Sequence, residues 1–217
     1  MGWVEETFKA GQSPFGWLSS AERLQAAAEI ILEREEAGAP AYFGALEAAR
    51  REAVEKSYPS KDKTGVAEVS CEPPNYLPAQ LLYAFALENV FKGIMVANDP
   101  TLANETKLSS ELKSHELDRL AAKAGFALSS EEQVLLRTLS EIAIWAGRYP
   151  VASRLVDHTS PPMSDPHDLL NFGRQHPTLR LVFRKANATL ASKIPHETAR
   201  FGAVVALPSE PRATRPS

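Results

Sequence analysis

Glu88 and Lys92 stand four residues apart in the most hydrophobic stretch of the chain, with the acid on the N-terminal side. On a helix this order brings the two charges together. Charges in apolar surroundings need partners, so the pair reads either as a structural ion pair at the rim of a core or as the charged floor of a cleft. His115 follows, with Leu112, Leu117 and Leu120 as neighbours. An imidazole there is either a hydrogen-bonded boundary residue or a group for proton transfer near neutral pH. The segment Trp145-Ala146-Gly147-Arg148-Tyr149-Pro150 has the glycine and proline of a helix exit. Its Arg148 and Tyr149 either close the core or bring anion and hydrogen-bond contacts to the same place, with Arg148 a partner for Glu88. Glu88, Lys92, His115, Arg148 and Tyr149 therefore define a candidate ligand-binding cleft.

A second constellation is a separation of charge. From Leu169 to His196 there are five basic residues, Arg174, Arg180, Arg184, Lys185 and Lys193, among which Arg180 and Arg184 are helical neighbours, while the stretch from Glu29 to Glu36 is acidic. The two stretches either pair with each other or leave a surface on which Arg180 and Arg184 contact phosphate. The familiar catalytic signatures are missing. His115-Glu116 and His196-Glu197 open like a zinc-protease helix, but Arg119 and Arg200 stand where the second histidine belongs. There is no phosphate-binding glycine loop, no dinucleotide fingerprint and no nucleophile elbow. No metal site and no cofactor is expected, and no DNA-binding motif is present.

The elements that must position these residues are helices. Hydrophobic residues make up 44% of the 217, enough for a packed core. The net charge of −3 gives no overall match to nucleic acid, so any such contact needs a local basic surface. Cys71 is the single cysteine, which rules out a disulfide framework within the chain. Ser19 and Glu22 suggest a capping box opening a helix to about Glu36, which Gly38 and Pro40 should end before a second helix over about 41–56. Residues 57–78, with four prolines, read as a long loop. Apolar residues nearly all round 78–98 mark a central helix. Gln80, Glu88, Asn89 and Lys92 make that stretch a poor membrane span. Helices are expected over about 110–124, stopped by Gly125, and from the Ser129–Glu132 capping box onward. A last clear helix spans about 177–193. The expectation is an all-α antiparallel bundle of about six helices in a single domain over 1–205, with a disordered tail over 206–217. Without a signal sequence or a span, it is expected in the cytoplasm.

Three segments resemble the HEPN-like helical domains, the higher eukaryote and prokaryote nucleotide-binding group. They are Leu82-Tyr83-Ala84-Phe85-Ala86-Leu87-Glu88-Asn89-Val90-Phe91-Lys92, then Ser114-His115-Glu116-Leu117-Asp118-Arg119-Leu120, then Trp145 to Pro150. The resemblance covers about 78–150. It implies a helical bundle that is often a homodimer or binds a protein partner, in RNA cleavage, in toxin and defence systems, or in association with nucleotides. Active ribonucleases of the group carry an Arg, four to six residues, and then a His. Here Arg154 and His158 have three residues between them, and Arg148 and His158 have nine. With the histidine missing behind Arg148, the resemblance points to binding of a protein partner, a second copy or a nucleotide-like ligand. A metal-independent ribonuclease using Arg148 or Arg154 with His158 or His115 is the alternative, and a scaffold without a small-molecule site is a third reading.

Overall fold

Ser13 and Pro14 set the first boundary in a computed structural model of the chain, which describes residues 3–57, 68–69, 71–103, 107–146 and 172–195. Helix α1 spans Trp3–Gln12 and α2 spans Pro14–Ser57. Between them the Ser13 hydroxyl accepts the backbone N–H of Gly16 at 3.1 Å, an N-cap with proline in the first helical position. The cap therefore lies six residues before the expected one. Ser19 and Glu22 are inside the helix, and the neighbouring Ser20 hydroxyl accepts from the Asn89 amide at 3.1 Å.

The stop expected at Gly38 and Pro40 does not occur, and α2 runs through both as one helix of 44 residues, about 66 Å long. Gly38 is not in the left-handed conformation that ends helices; Gly125 is the one described residue that is. Pro40 removes one backbone donor and frees the carbonyl of Glu36. Pro40 is exposed, so water can satisfy that carbonyl and the helix continues.

Helix α3, Leu77–Asn98, is the centre of the molecule, as its all-round apolar pattern predicts. Pro78 lies in its first turn and Asp99 ends it. Tyr83, Leu87, Val90, Phe91 and Ile94 are fully buried there, against Ala21, Ala28 and Leu32 from the first half of α2. Gly93 is required by this packing. A Cβ on it would lie 2.6 Å from a Leu190 methyl and 2.9 Å from the Trp17 Cβ, so glycine lets α2 and the last helix close onto α3.

The helix expected over 110–124 is broken. A 3₁₀ turn at Ser110–Lys113 is followed by extended backbone at Ser114 and Glu116, and α4 spans only Leu117–Lys123. Serines cause the break by offering the backbone other partners. Ser109 caps the 3₁₀ turn through the Glu111 N–H, the Ser114 hydroxyl accepts the Glu116 N–H, and the Ser140 hydroxyl accepts the Leu117 N–H at 2.8 Å. Gly125, with φ of 70°, closes α4 as expected. Its N–H reaches the Ala122 carbonyl, and the Phe126 N–H reaches that of Ala121. The Phe126 ring is thereby set 5.5 Å from that of Phe91.

The capping box of Ser129 and Glu132 opens α5, Ser130–Glu141, with both reciprocal bonds made, and a π-helical turn follows over Ile142–Ala146. Helix α6, His176–Ala191, buries Leu179, Val182, Phe183, Ala186 and Leu190. The fold is all-α: among the described residues there are six α-helices and no strand beyond one bridge between Ala103 and Leu108. Among those residues no helix is long and apolar enough to cross a membrane. Residues 58–67 and 70 of the expected 57–78 loop, the segment from 147 to 171 and the expected 206–217 tail lie outside the described residues.

Candidate functional site

Helix α3 carries Glu88 and Lys92 on one face, one turn apart, with side chains only 10% and 5% exposed. The Lys92 ammonium donates to Glu88 Oε1 at 2.5 Å. The second carboxylate oxygen, Oε2, lies 2.8 Å from Nδ1 of His115. His115 is on the extended connection rather than on a helix, between two anchors: Leu112 in the 3₁₀ turn and Leu117 at the start of α4, both buried. The Ser140 hydroxyl fixes the Leu117 end from α5 and itself donates to the Leu136 carbonyl.

The result is a charged centre in which a buried carboxylate is held on one side by an ammonium and holds an imidazole on the other. The His115 side chain is 47% exposed. In the neutral ring the Nδ1 proton goes to Glu88, which leaves Nε2 as an acceptor. Such a group can accept a hydrogen bond from a ligand or take a proton from one. Three of the five cleft residues expected from the sequence thus converge. Arg148 and Tyr149, with Arg154 and His158, lie outside the described residues.

Arg180 sits in a different centre. Its guanidinium donates to both Glu29 oxygens through Nε at 3.0 Å, to Glu29 Oε2 through a terminal nitrogen at 2.8 Å, and to both oxygens of Glu36 at 3.1 and 3.2 Å. The basic and acidic stretches therefore pair here, and the Arg180 donors expected to meet phosphate are engaged by carboxylates. Arg184, one turn later, is exposed, and Lys185 pairs with Glu132 at 3.0 Å.

Four further residues complete the Arg180 centre. The Tyr83 hydroxyl donates to Glu29, and Gln25 lies within 3.5 Å of both groups. His176 places Nδ1 3.1 Å from Glu36 Oε1. Its ring is nearly fully buried against the edge of Tyr76, with centroids 4.8 Å apart, and its Nε2 has no hydrogen-bond partner. Burial raises the Glu29 carboxyl, but the hydrogen bonds from Arg180 and Tyr83 outweigh it and hold the group below the usual range. Burial and the Glu29 bond push the Tyr83 phenol up, and burial pushes His176 down against the pull of Glu36. The sequence reading missed this centre as a unit. Its signal was present: Gln25, Glu29 and Glu36 recur at helical spacing on α2, and His176 and Arg180 stand four apart on α6.

Among the described residues no group of three or more His, Cys, Asp or Glu side chains is arranged to hold a metal ion. Cys71 is an exposed free thiol. No family model, curated protein or solved structure matches the chain.

Proposed function

We propose that this is a HEPN-like helical protein that works by binding, and that the Glu88–Lys92–His115 centre is its contact with a nucleotide-like ligand. The reading is supported by the convergence of these three residues, with the imidazole half-exposed above a buried ion pair. A buried pair fixes the Glu88 carboxylate, the carboxylate fixes the ring, and the free Nε2 is a directional acceptor for an exocyclic amine or a ribose hydroxyl. The resemblance over 78–150 supplies the ligand class. Arg148 and Tyr149 are the residues proposed to complete the contact, with Arg184 as a phosphate contact and a second copy of the chain as the usual partner in such domains.

The test is titration of the purified protein with AMP by calorimetry and with a labelled single-stranded RNA by fluorescence anisotropy, the RNA being checked for cleavage. Saturable binding that weakens at least about tenfold in His115→Ala, the scale of one lost hydrogen bond to a well-placed group, is the expected result. Absence of binding to both probes overturns the reading.

One observation favours a ribonuclease as the second reading: an imidazole held by a carboxylate is the arrangement of a general base. RNA turnover by the wild type that is lost in His115→Ala and in Arg148→Ala would move the assignment there.

A further inference from the structure

We propose that a second cleft, sharing no residue with the His115 centre, binds a small carboxylic acid in its ionised form. It lies where the end of α1, the start of α2 and the end of α3 meet the chain leaving α6, and its volume is about 280 Å³. That is near the lower end of ligand cavities, about 300–1,000 Å³, and suits a short-chain acid better than a nucleotide. Val96, Ala97 and Pro100 give it an apolar wall, Lys9 and Lys193 line it from two sides, and no acidic residue lines it among the described residues.

Gln12 singles this cleft out. It is 8% exposed, it lines the cleft, and its amide nitrogen is buried without a hydrogen-bond partner. A buried donor left unmet is costly, and folded proteins rarely keep one without a use. A carboxylate has two acceptor oxygens, so one can take the Gln12 amide while the other meets the Lys193 ammonium, a charge-assisted bond. The alkyl body of the acid then lies against Val96 and Pro100. The lysines also stand near the C-terminal ends of α1 and α6, where cations are favoured in any case. Lysines that served only those helix ends would give no saturable site.

The experiment is a titration of the ¹⁵N-labelled protein with hexanoate, followed by amide chemical shifts, with hexan-1-ol and inorganic phosphate as controls. The expected result is saturable shifts at Gln12, Ala97 and Lys193, roughly tenfold weaker binding of the alcohol and of phosphate, and a loss of roughly tenfold in both Gln12→Leu and Lys193→Ala. Lys193 is exposed, so Lys193→Ala keeps the test intact if the Gln12 variant fails to fold. Shifts that do not saturate, equal binding of hexan-1-ol or of phosphate, or affinity unchanged in Lys193→Ala would overturn the proposal.

Discussion

At the scale of single residues, the Glu88–Lys92 pair is the strictest test of the charged centre. Both side chains are almost out of water, and each justifies the other. Removing one partner strands a charge, which typically costs about 3–5 kcal/mol, whereas replacing both with apolar side chains of similar size is often neutral. Lys92→Met should therefore lower unfolding stability by about 3 kcal/mol or more, and Glu88→Leu with Lys92→Met should recover most of it. Urea denaturation of the two variants and the wild type measures this directly. If Lys92→Met costs nothing, the pair is solvated and the centre is not built as described. The pair itself was legible, because four-residue spacing in an apolar stretch leaves few alternatives. His115 was legible as a residue of interest but not in its setting. Its hold on Glu88 depends on Ser109, Ser114 and Ser140, whose hydroxyls redirect backbone bonds that a periodicity argument assigns to one helix.

At the scale of elements, apolar periodicity read the interior well and the ends unevenly. The central helix, the Gly125 stop and the Ser129–Glu132 cap follow from patterns local enough to be decided by a few residues. Pro40 does not end the helix because position decides what a proline costs: on an exposed turn it costs one hydrogen bond whose carbonyl water can satisfy, and flanking helix carries the chain past it. Pro40→Ala restores the missing N–H and removes the ring clash. A proline inside a helix is worth about 3 kcal/mol less than alanine, and its stiffening of the unfolded chain returns some of that. A gain of about 1–2 kcal/mol is expected, which for a chain of this size raises the melting temperature by roughly 2–8 °C. A fall in melting temperature would mean that a helix boundary at Pro40 matters after all.

At the scale of the whole molecule, α2 and α6 are far apart in sequence, and the Glu29–Arg180–Glu36–His176 centre ties them together. Charge segregation left the pairing of the two stretches open as one of two readings; only the fold brings residues 140 or more positions apart into one network and sets which acid meets Arg180 and which meets His176. The tie makes stability depend on pH in two stages. The unfolded imidazole of His176 titrates near about 6.5, and burial holds the folded one lower. Between those values the unfolded chain carries the extra proton, so stability rises with pH there and starts to fall as pH drops through about 6.5. The slope for one proton cannot exceed about 1.4 kcal/mol per pH unit. In the folded state a proton on Nε2 would have no acceptor, and Arg180 beside it opposes the added charge, while Glu36 and Glu29 partly compensate. Glu29 acts lower on the scale. Its folded carboxyl is depressed, so its contribution is complete above the unfolded value of about 4.3 and is lost as pH falls below it. Thermal melts from pH 8 to pH 3 should therefore show a first decline beginning at about pH 6.5 and a second below about 4.3. In His176→Phe, which keeps the packing against Tyr76 and leaves Glu36 with Arg180, the first decline should disappear and the second remain. A first decline that persists in that variant would place its origin in another group and leave the buried imidazole without a part in holding α6 to α2.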